Sequence, residues 1–359
     1  MLKKMNRMLL LLSMAAVLLV LNPCLYAESL PESEEEPTGY TEESDQDVDQ
    51  KYFFHFDADL SYTYSDASNS DALSGLHFNV LTAPTVKINK GTFASLVYDG
   101  EYYKKREFYS DDIGYRERSE SQTHTVTPIL KHDFGKNNQF TIKPSVFYTK
   151  NLNKDTDDAD WDDGLYNYED WGGGIDLDIR DIIAKKADEK LTFGFQVYKR
   201  EYPNYTSLLD LATGNNIEED EKDYLGLILK SEYEQTRDTG LSWSLGYTLF
   251  VKWLDDKKVV DMNGVLTSEE QEDFLHMAQG RVWYFIKGGL KLGLDVDIHY
   301  KDSNQNFYEG FGTATLTDNV ATEDYYDYLM YELRPNISYQ FRLLPLTIYA
   351  SYAYQELSY

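Results

Sequence analysis

The feature that most constrains the fold of this chain is a two-residue alternation of apolar and polar side chains. Between Phe54 and Tyr64, six apolar or aromatic residues alternate with His, Asp, Ser and Thr. Successive side chains of a β-strand point to opposite faces of its sheet, so this period predicts a strand with one apolar and one polar face. The pattern recurs to the C-terminus, and the sequence therefore predicts an all-β fold.

Thirteen alternating segments are predicted along the chain. Their bounds are 52–66, 75–88, 92–105, 121–134, 139–152, 168–180, 190–203, 222–235, 240–254, 276–287, 289–301, 325–340 and 346–357. Short turns such as Lys287-Gly288-Gly289 alternate with longer acidic loops such as 255–275. Connections that alternate in this way are typical of an up-and-down antiparallel meander, and a β-sandwich has no reason to show them.

This organisation resembles the outer-membrane β-barrels of Gram-negative bacteria, porins among them, without matching a specific family. A tilted strand crosses a membrane in roughly 9 to 11 residues, and a sheet satisfies its backbone groups in lipid by closing into a barrel. The 31 Tyr and 17 Phe suit the aromatic girdles of such barrels. The resemblance implies a transmembrane antiparallel up-and-down β-barrel over residues 51–359, apolar outside and polar inside.

The predicted number of strands is odd, which conflicts with the architecture of single-chain bacterial barrels. A chain that starts in the periplasm and crosses thirteen times ends outside, whereas single-chain bacterial barrels have even strand numbers. We expect 12 to 14 strands and prefer 14, with the last strand missing from this chain or one strand split or overlooked. Pro84, Pro128, Pro144 and Pro335 fall inside proposed strands, where each removes a ladder donor, so they weaken those assignments or mark bulges.

The N-terminus is typical of a Sec signal peptide. Residues 1–27 combine a basic start, a short apolar run and a cleavage site that ends at Ala27. The alternatives are a retained anchor and lipidation of Cys24, although Pro23 departs from the small residue of a lipobox. Residues 28–50 contain ten acidic and no basic residues, which predicts a disordered periplasmic tail. We expect export through Sec to the cell outer membrane.

Charge and composition limit the partners. The net charge of -28 excludes nucleic acid as a natural partner. The mean hydropathy of -0.55 does not argue against a membrane protein, because a strand with one wet face averages to polar. The expected partners are outer-membrane lipid and lipopolysaccharide, the barrel-assembly machinery during biogenesis, and small solutes.

Charged side chains at the inward positions are the candidates for function. The predicted lumen-lining residues are Asp57, Asp59, Lys87, Lys143, Asp176, Asp178, Arg200, Lys252, Lys291, Asp295, Asp297 and His299. Charges in a narrow aqueous barrel set ion selectivity, which predicts a channel with a mild cation preference. The alternative is that the charges pair across strands and rigidify a plugged interior.

Two further sites are weighed as alternatives. Asp57 and Asp59 on one strand, with Asp297 and His299 on another, resemble the Asp-Asp and Asp-His pairs of omptin outer-membrane proteases, in which His299 would act as base. The resemblance covers two short segments, and we expect no enzyme.

The acidic loop 155–164 offers oxygen ligands for Ca²⁺. The EF-hand-like ligand positions are Asp158, Asp160, Asp162 and Glu169. Asp163 occupies the position where the EF-hand turn needs glycine, so a solvated acidic loop or divalent bridging to lipopolysaccharide phosphates is the competing interpretation. No other cofactor is expected.

Aromatic residues concentrate near the predicted strand ends. They are expected to form girdles at the two membrane interfaces. The alternative is a sugar-binding aromatic track inside the lumen, as in carbohydrate-specific porins.

The sequence therefore favours a passive channel for small hydrophilic solutes or ions, with loop 255–275 as the candidate constriction. A non-channel surface, assembly or polysaccharide-export barrel is the first alternative. An omptin-like protease and a soluble secreted β-protein are the others.

Overall fold

The computed structural model describes residues 51–67, 70–107, 118–154, 160–182, 187–205, 220–286, 288–309, 320–341 and 346–358. The predicted signal peptide and acidic tail lie outside these residues. No helix in these ranges is long and apolar enough to span a membrane.

The described residues form sixteen strands. In chain order, β1 to β8 are Tyr52–Ala67, Ser70–Asn89, Thr92–Glu107, Arg118–Phe134, Phe140–Lys154, Tyr168–Arg180, Ala187–Glu201 and Tyr224–Arg237. Strands β9 to β16 are Leu241–Val260, Leu266–Ile286, Leu290–Ser303, Phe307–Glu309, Val320–Thr322, Tyr328–Gln340, Thr347–Ser351 and Tyr354–Ser358. All thirteen predicted segments are therefore strands.

Fourteen of these strands form one antiparallel sheet in the order β1 to β11, then β14, then β15. β16 also pairs with β14, so β15 and β16 share the last row and the sheet has thirteen rows. β12 and β13 form a separate two-stranded sheet. Within the described ranges β1 pairs only with β2, so the sheet has two unpaired edges and is not closed. The all-β up-and-down meander is confirmed.

The residue pairing keeps one parity through the body of the sheet, and its register shifts lie near strand ends and in the hairpin of β9 and β10. Residues that face each other across an antiparallel pair lie on the same face, so the register from β1 to β14 separates an apolar face from a polar one. Many large side chains of the apolar face are exposed, such as Val146 at 59% and Trp171 at 56%, although Tyr233 and Val251 on the same face are buried. This single layer excludes the stacked sheets of a β-sandwich.

The four prolines inside strands all lie on the same face of the sheet. Pro84, Pro128, Pro144 and Pro335 all lie inside strands on the apolar face, and no register shift occurs at any of them. The expectation that they mark bulges or false strands is wrong, because the ladder continues on both sides of each missing donor.

The two ends of the sheet differ in their connections. We call the end with the short connections 90–91, 135–139, 238–240 and 287–289 the turn end, and the opposite end the loop end. Gly289 shows why glycine is needed at the turn end: its φ is +93°, and an added Cβ would lie 2.3 Å from the carbonyl oxygen of Gln340.

The structure corrects the prediction that 255–275 is an infolded loop. β9 continues to Val260 and β10 begins at Leu266, so most of this segment is a long hairpin that extends the sheet at the loop end. Its tip is a tight turn in which Asp261 Oδ1 accepts hydrogen bonds from the backbone N–H groups of Asn263 and Val265, each at 2.8 Å. These N–H bonds lower the pKa of the Asp261 carboxyl.

Candidate functional site

The candidate site is the polar face of the sheet. The register places all twelve predicted lumen-lining residues on this face, from Asp57 and Asp59 on β1 to Asp295, Asp297 and His299 on β11. This shared placement is what the alternation predicted. Whether the face encloses a lumen is part of the function proposed below.

Several charges on the polar face are paired across strands. Lys143 Nζ lies 3.0 Å from Asp178, whose side chain is 7% exposed. Lys301 lies 3.2 Å from Asp273, which also accepts hydrogen bonds from Ser303 Oγ and Gln271. These contacts cross from one strand to another and stiffen the sheet, as the plugged-interior alternative predicts.

Other predicted residues of this face have no ion-pair partner within 4.0 Å in the described part of the chain. The acids of this kind are Asp57, Asp59, Asp176, Asp295 and Asp297; the cations are Lys87, Lys252 and Lys291. Asp297 accepts a hydrogen bond from Gln279 at 2.9 Å, and Asp295 accepts one from Asn336 at 3.1 Å. Within the predicted set, the unpaired acids outnumber the unpaired cations by five to three; Arg180 and Arg281, outside that set, lie on the same face without an ion pair in the described ranges.

A bidentate ion pair on the polar face joins Arg200 on β7 to Asp170 on β6. Two parallel hydrogen bonds of 2.7 Å connect the guanidinium to both carboxylate oxygens. The guanidinium carbon lies 3.7 Å from the centre of the Tyr168 ring, a cation–π contact. Sequence reasoning identified Arg200 but not Asp170, although the alternation of β6 places Asp170 on the same face as Asp176 and Asp178.

Aromatic rings surround this pair. Tyr224 is 5% exposed and contacts both Tyr198 and Phe250, with ring centres 5.9 and 6.4 Å apart. Lys252 Nζ lies 4.4 Å from the centre of the Tyr224 ring. The polar face therefore carries an aromatic cluster near the loop end.

The aromatic residues assigned to the girdles divide between the two faces of the sheet, and the girdles themselves stay a prediction. Tyr62, Tyr98, Tyr148, Trp171 and Trp253 lie on the apolar face. Tyr103, Tyr168, Tyr198, Tyr328, Phe93 and Trp283 lie on the polar face instead. Alternation assigned these residues to strand ends, but their individual parity decides which face they occupy.

The omptin-like residues are far apart in the sheet order. Asp57 and Asp59 lie on β1, whereas Asp297 and His299 lie on β11, with β2 to β10 between them. His299 pairs in register with Met330 and Met277. The structure therefore does not bring the two halves of that constellation together in the sheet as described.

The predicted calcium ligands are only partly described. Asp158 lies outside the described residues; Asp160 and Asp162 lie at a 3₁₀ turn over Trp161–Asp163. Glu169 is on the apolar face of β6, where Lys150 lies 3.5 Å from its carboxylate. No group of three or more His, Cys, Asp or Glu suited to a metal occurs among the described residues. Calcium binding stays a prediction.

These observations define the class of the fold: a long antiparallel up-and-down sheet of the outer-membrane β-barrel kind, with one apolar and one polar face. No protein-family model matches the chain, and no curated protein does. Two similar solved structures are "Copper transporter OprC" and "Crystal structure of ferric citrate transporter FecA in the unliganded form".

The copper transporter has 11% sequence identity and a TM-score of 0.44, and the ferric citrate transporter 11% and 0.36. In both comparisons the alignment covers 85% of this chain and 57% of the other. The chain thus spans a little over half the length of each transporter.

Proposed function

We propose that this chain forms an outer-membrane pore that passes small hydrophilic solutes or ions, with a mild preference for cations. The observation that carries the proposal is the separation of faces, which is unbroken from β1 to β14. A sheet with one uncovered apolar face and one charged face is what lipid on one side and water on the other require.

The cation preference rests on the unpaired charges. Five acids of the predicted set lack a cation within 4.0 Å in the described ranges, against three cations that lack a carboxylate. Lys291 lies 3.7 Å from the centre of the Trp283 ring, so part of its charge faces an aromatic ring. Acidic groups that keep a net field along the polar face attract cations from solution.

Single-channel recording in planar bilayers tests this function. We expect reproducible conductance steps, and a reversal potential across a salt gradient that shows modest cation selectivity. Asp295→Asn combined with Asp297→Asn should reduce that selectivity. Asp302→Asn is the matched control, because Asp302 lies on the same strand but on the other face. Absence of steps would refute the pore, and equal effects of both sets would refute Asp295 and Asp297 as the source of its cation preference.

The location and assembly of the protein belong to the same proposal. Export through Sec, insertion by the barrel-assembly machinery and contact with lipopolysaccharide follow from an outer-membrane pore. Heat-modifiable migration on gels and recovery in the outer-membrane fraction would support them. Recovery in the soluble periplasm would contradict them.

A surface or assembly role is the second candidate. The long hairpin of β9 and β10 favours it, because an ordered outer segment offers a surface for a partner. A protein with this role alone would insert into bilayers without conductance steps.

A further inference from the structure

A hollow in the polar face lies over β6. Gly172 and Gly174 occupy inward positions of β6, so two successive side chains are missing between β5 and β7. An added Cβ would lie 2.4 Å from the carbonyl oxygen of Val197 at Gly172, and 2.7 Å from that of Phe195 at Gly174. The close approach of β7 therefore requires glycine here, and the result is a cavity of about 380 Å³.

Neutral hydrogen-bonding groups line much of this cavity. Thr127, Ser145 and Gln196 contribute hydroxyl and amide groups, and the side chains of Ser145 and Gln196 make no hydrogen bond to another described residue. Thr125 and Thr149 hydroxyls, also in the lining, bond to each other at 2.9 Å. The cavity thus offers donors and acceptors to a ligand that carries hydroxyl groups.

The cavity lining contains one ion pair, and its two charges compensate each other. Arg200 and Asp170 border the cavity, and their two 2.7 Å hydrogen bonds satisfy one charge with the other. The Asp170 side chain is 7% exposed and that of Arg200 21%. An anionic ligand would find no free positive charge in the lining, and a cationic one no free carboxylate. The lining therefore selects an uncharged ligand.

Aromatic rings supply the apolar part of the lining. The Phe147 and Tyr198 rings border the cavity, with centres 6.0 Å apart and planes inclined at 58°. The Tyr198 ring lies over Gly226, where an added Cβ would come within 2.7 Å of it, so the glycine leaves the room that the ring occupies. Such rings pack against C–H groups. A ligand with hydroxyl groups around its edge and C–H groups on its face matches both parts of the lining.

From this lining we infer that the hollow over β6 is a binding site for a neutral sugar. Its volume falls within the range of small-molecule sites, about 300 to 1,000 Å³. The inference deepens the proposed pore, since it names a class of solute and rests on the polar face being reached by water. Binding itself does not require conductance, so the two can fail separately.

Titration calorimetry on the full purified protein in detergent tests the site, with glucose and maltotriose as probes. We expect saturable binding in the millimolar range. Sorbitol, which has the hydroxyls without the ring, should bind about tenfold more weakly, and glucose 6-phosphate should bind no better than glucose. No saturation with either sugar, or tighter binding of the phosphate, would overturn the inference.

Two variants localise the binding. Ser145→Leu would fill the cavity from β5 without touching Arg200 or Asp170. Gln196→Leu would remove the amide group on β7. Each variant should weaken maltotriose binding by at least about tenfold. Ser244→Leu is the matched control, because Ser244 lies on the polar face of β9 outside the lining. Heat-modifiable migration verifies that each variant folds. Equal affinities for Ser145→Leu, Gln196→Leu and Ser244→Leu would refute the site.

If the channel shows no conductance but the sugar binds, the pore fails and the site stands. If the channel conducts normally and no sugar binds, the site fails and the pore stands.

Discussion

At the scale of single residues, the pair of Arg200 and Asp170 shows what a strand pattern can and cannot predict. The alternation of β7 places Arg200 on the polar face, and the structure agrees. The partner depends on how β6 and β7 are aligned, which brings Arg200 opposite Asp170. Strand register is a long-range property, so no spacing within either segment fixes it.

Removing one member of this pair should lower the free energy of unfolding substantially. Arg200→Ala leaves the nearly buried Asp170 carboxylate without its cation, and we expect a loss of about 3 to 5 kcal/mol in the free energy of unfolding. Lys190→Ala is the matched control, because the side chains of Lys190 and Glu234 are 36% and 46% exposed and such surface pairs contribute about 0 to 1 kcal/mol. Urea unfolding in lipid vesicles measures both, and equal losses would contradict the argument.

A second residue-level prediction concerns pH. Asp327 lies in the turn before β14 and is 8% exposed. Burial raises the pKa of its carboxyl to about 6, with the neighbouring acids Asp302 and Asp324 adding to the rise. The backbone N–H of Ser303, which donates to Asp327 Oδ1 at 2.7 Å, and the ammonium of Lys301 oppose it.

Because this pKa is raised, the folded state favours the protonated carboxyl. That stabilisation is complete below the ordinary pKa of Asp and is lost as the pH rises through about 6. The backbone N–H of Asp327, which donates to the Asp324 carbonyl at 3.0 Å, should therefore exchange faster at pH 7.5 than at pH 5 after correction for intrinsic rates. Asp327→Asn should abolish the difference, and an unchanged difference in this variant would disprove the assignment.

At the scale of elements, most strands and turns were predicted better than the hairpin that the ends of β9 and β10 form within 255–275, which we call the outer hairpin. In the proposed pore, one face meets lipid and the other water within the membrane, so alternation is enforced there. Past the membrane both faces meet water, so strand residues such as Asp255, Lys257 and Glu272 need not alternate with apolar ones. The sequence of 255–275 consequently looks like a loop, although it is mostly paired strand.

The outer hairpin is held by side chains from the segment that follows β11. The register of β9 and β10 shifts between Leu266 and Glu272. Gln305 accepts a hydrogen bond from the Val260 N–H at 2.8 Å and donates one to the Lys258 carbonyl at 3.0 Å. Asn304 likewise accepts a hydrogen bond from the Glu272 N–H at 2.8 Å and donates one to the Glu270 carbonyl at 3.0 Å. The side-chain amides of Asn304 and Gln305 thus bond to backbone groups beside the irregular ladder, and we call these two residues the amide clamp.

Gln305→Ala should loosen this hairpin. Gln305 is 3% exposed, and its loss leaves buried backbone groups of Val260 and Lys258 unpaired, at a cost of about 1 to 3 kcal/mol. We expect protease cleavage within 255–275 to accelerate. Asn263→Ala, at the exposed tip, should change the rate little, since its side chain contacts only Asp261. Equal rates in the two variants would count against the clamp.

At the scale of the whole molecule, the parity problem foreseen in the sequence is present in the sheet. Thirteen antiparallel rows make β1 and the last row, β15 with β16, run in the same direction. Both edges carry exposed apolar residues: Phe54 is 69% exposed and Ile348 55%. Unpaired edges are untenable in lipid, because each unsatisfied backbone group costs several kcal/mol.

If the two edges of the sheet paired directly with each other, β1 and the last row would therefore form a parallel pair of strands. We expect a cysteine at His55 to form an intramolecular disulfide with a cysteine at one of the last-row positions on the same face: Tyr349, Ser351 or Gln355. The bond requires Cα atoms about 4.4 to 6.8 Å apart. Ile348, on the opposite face, is the control.

Non-reducing gels separate the outcomes. Cross-linked dimers alone would show that the edge pairs with a second copy, and no cross-link in any pair would exclude direct contact of the two edges.

The amide clamp on the outer hairpin has a consequence for recognition from outside the cell. Its contacts are polar and internal to the protein, and none depends on acyl chains. The shape presented there should survive extraction from the bilayer. Antibodies raised against detergent-purified material should therefore bind that epitope on living bacteria, and lose it with Gln305→Ala.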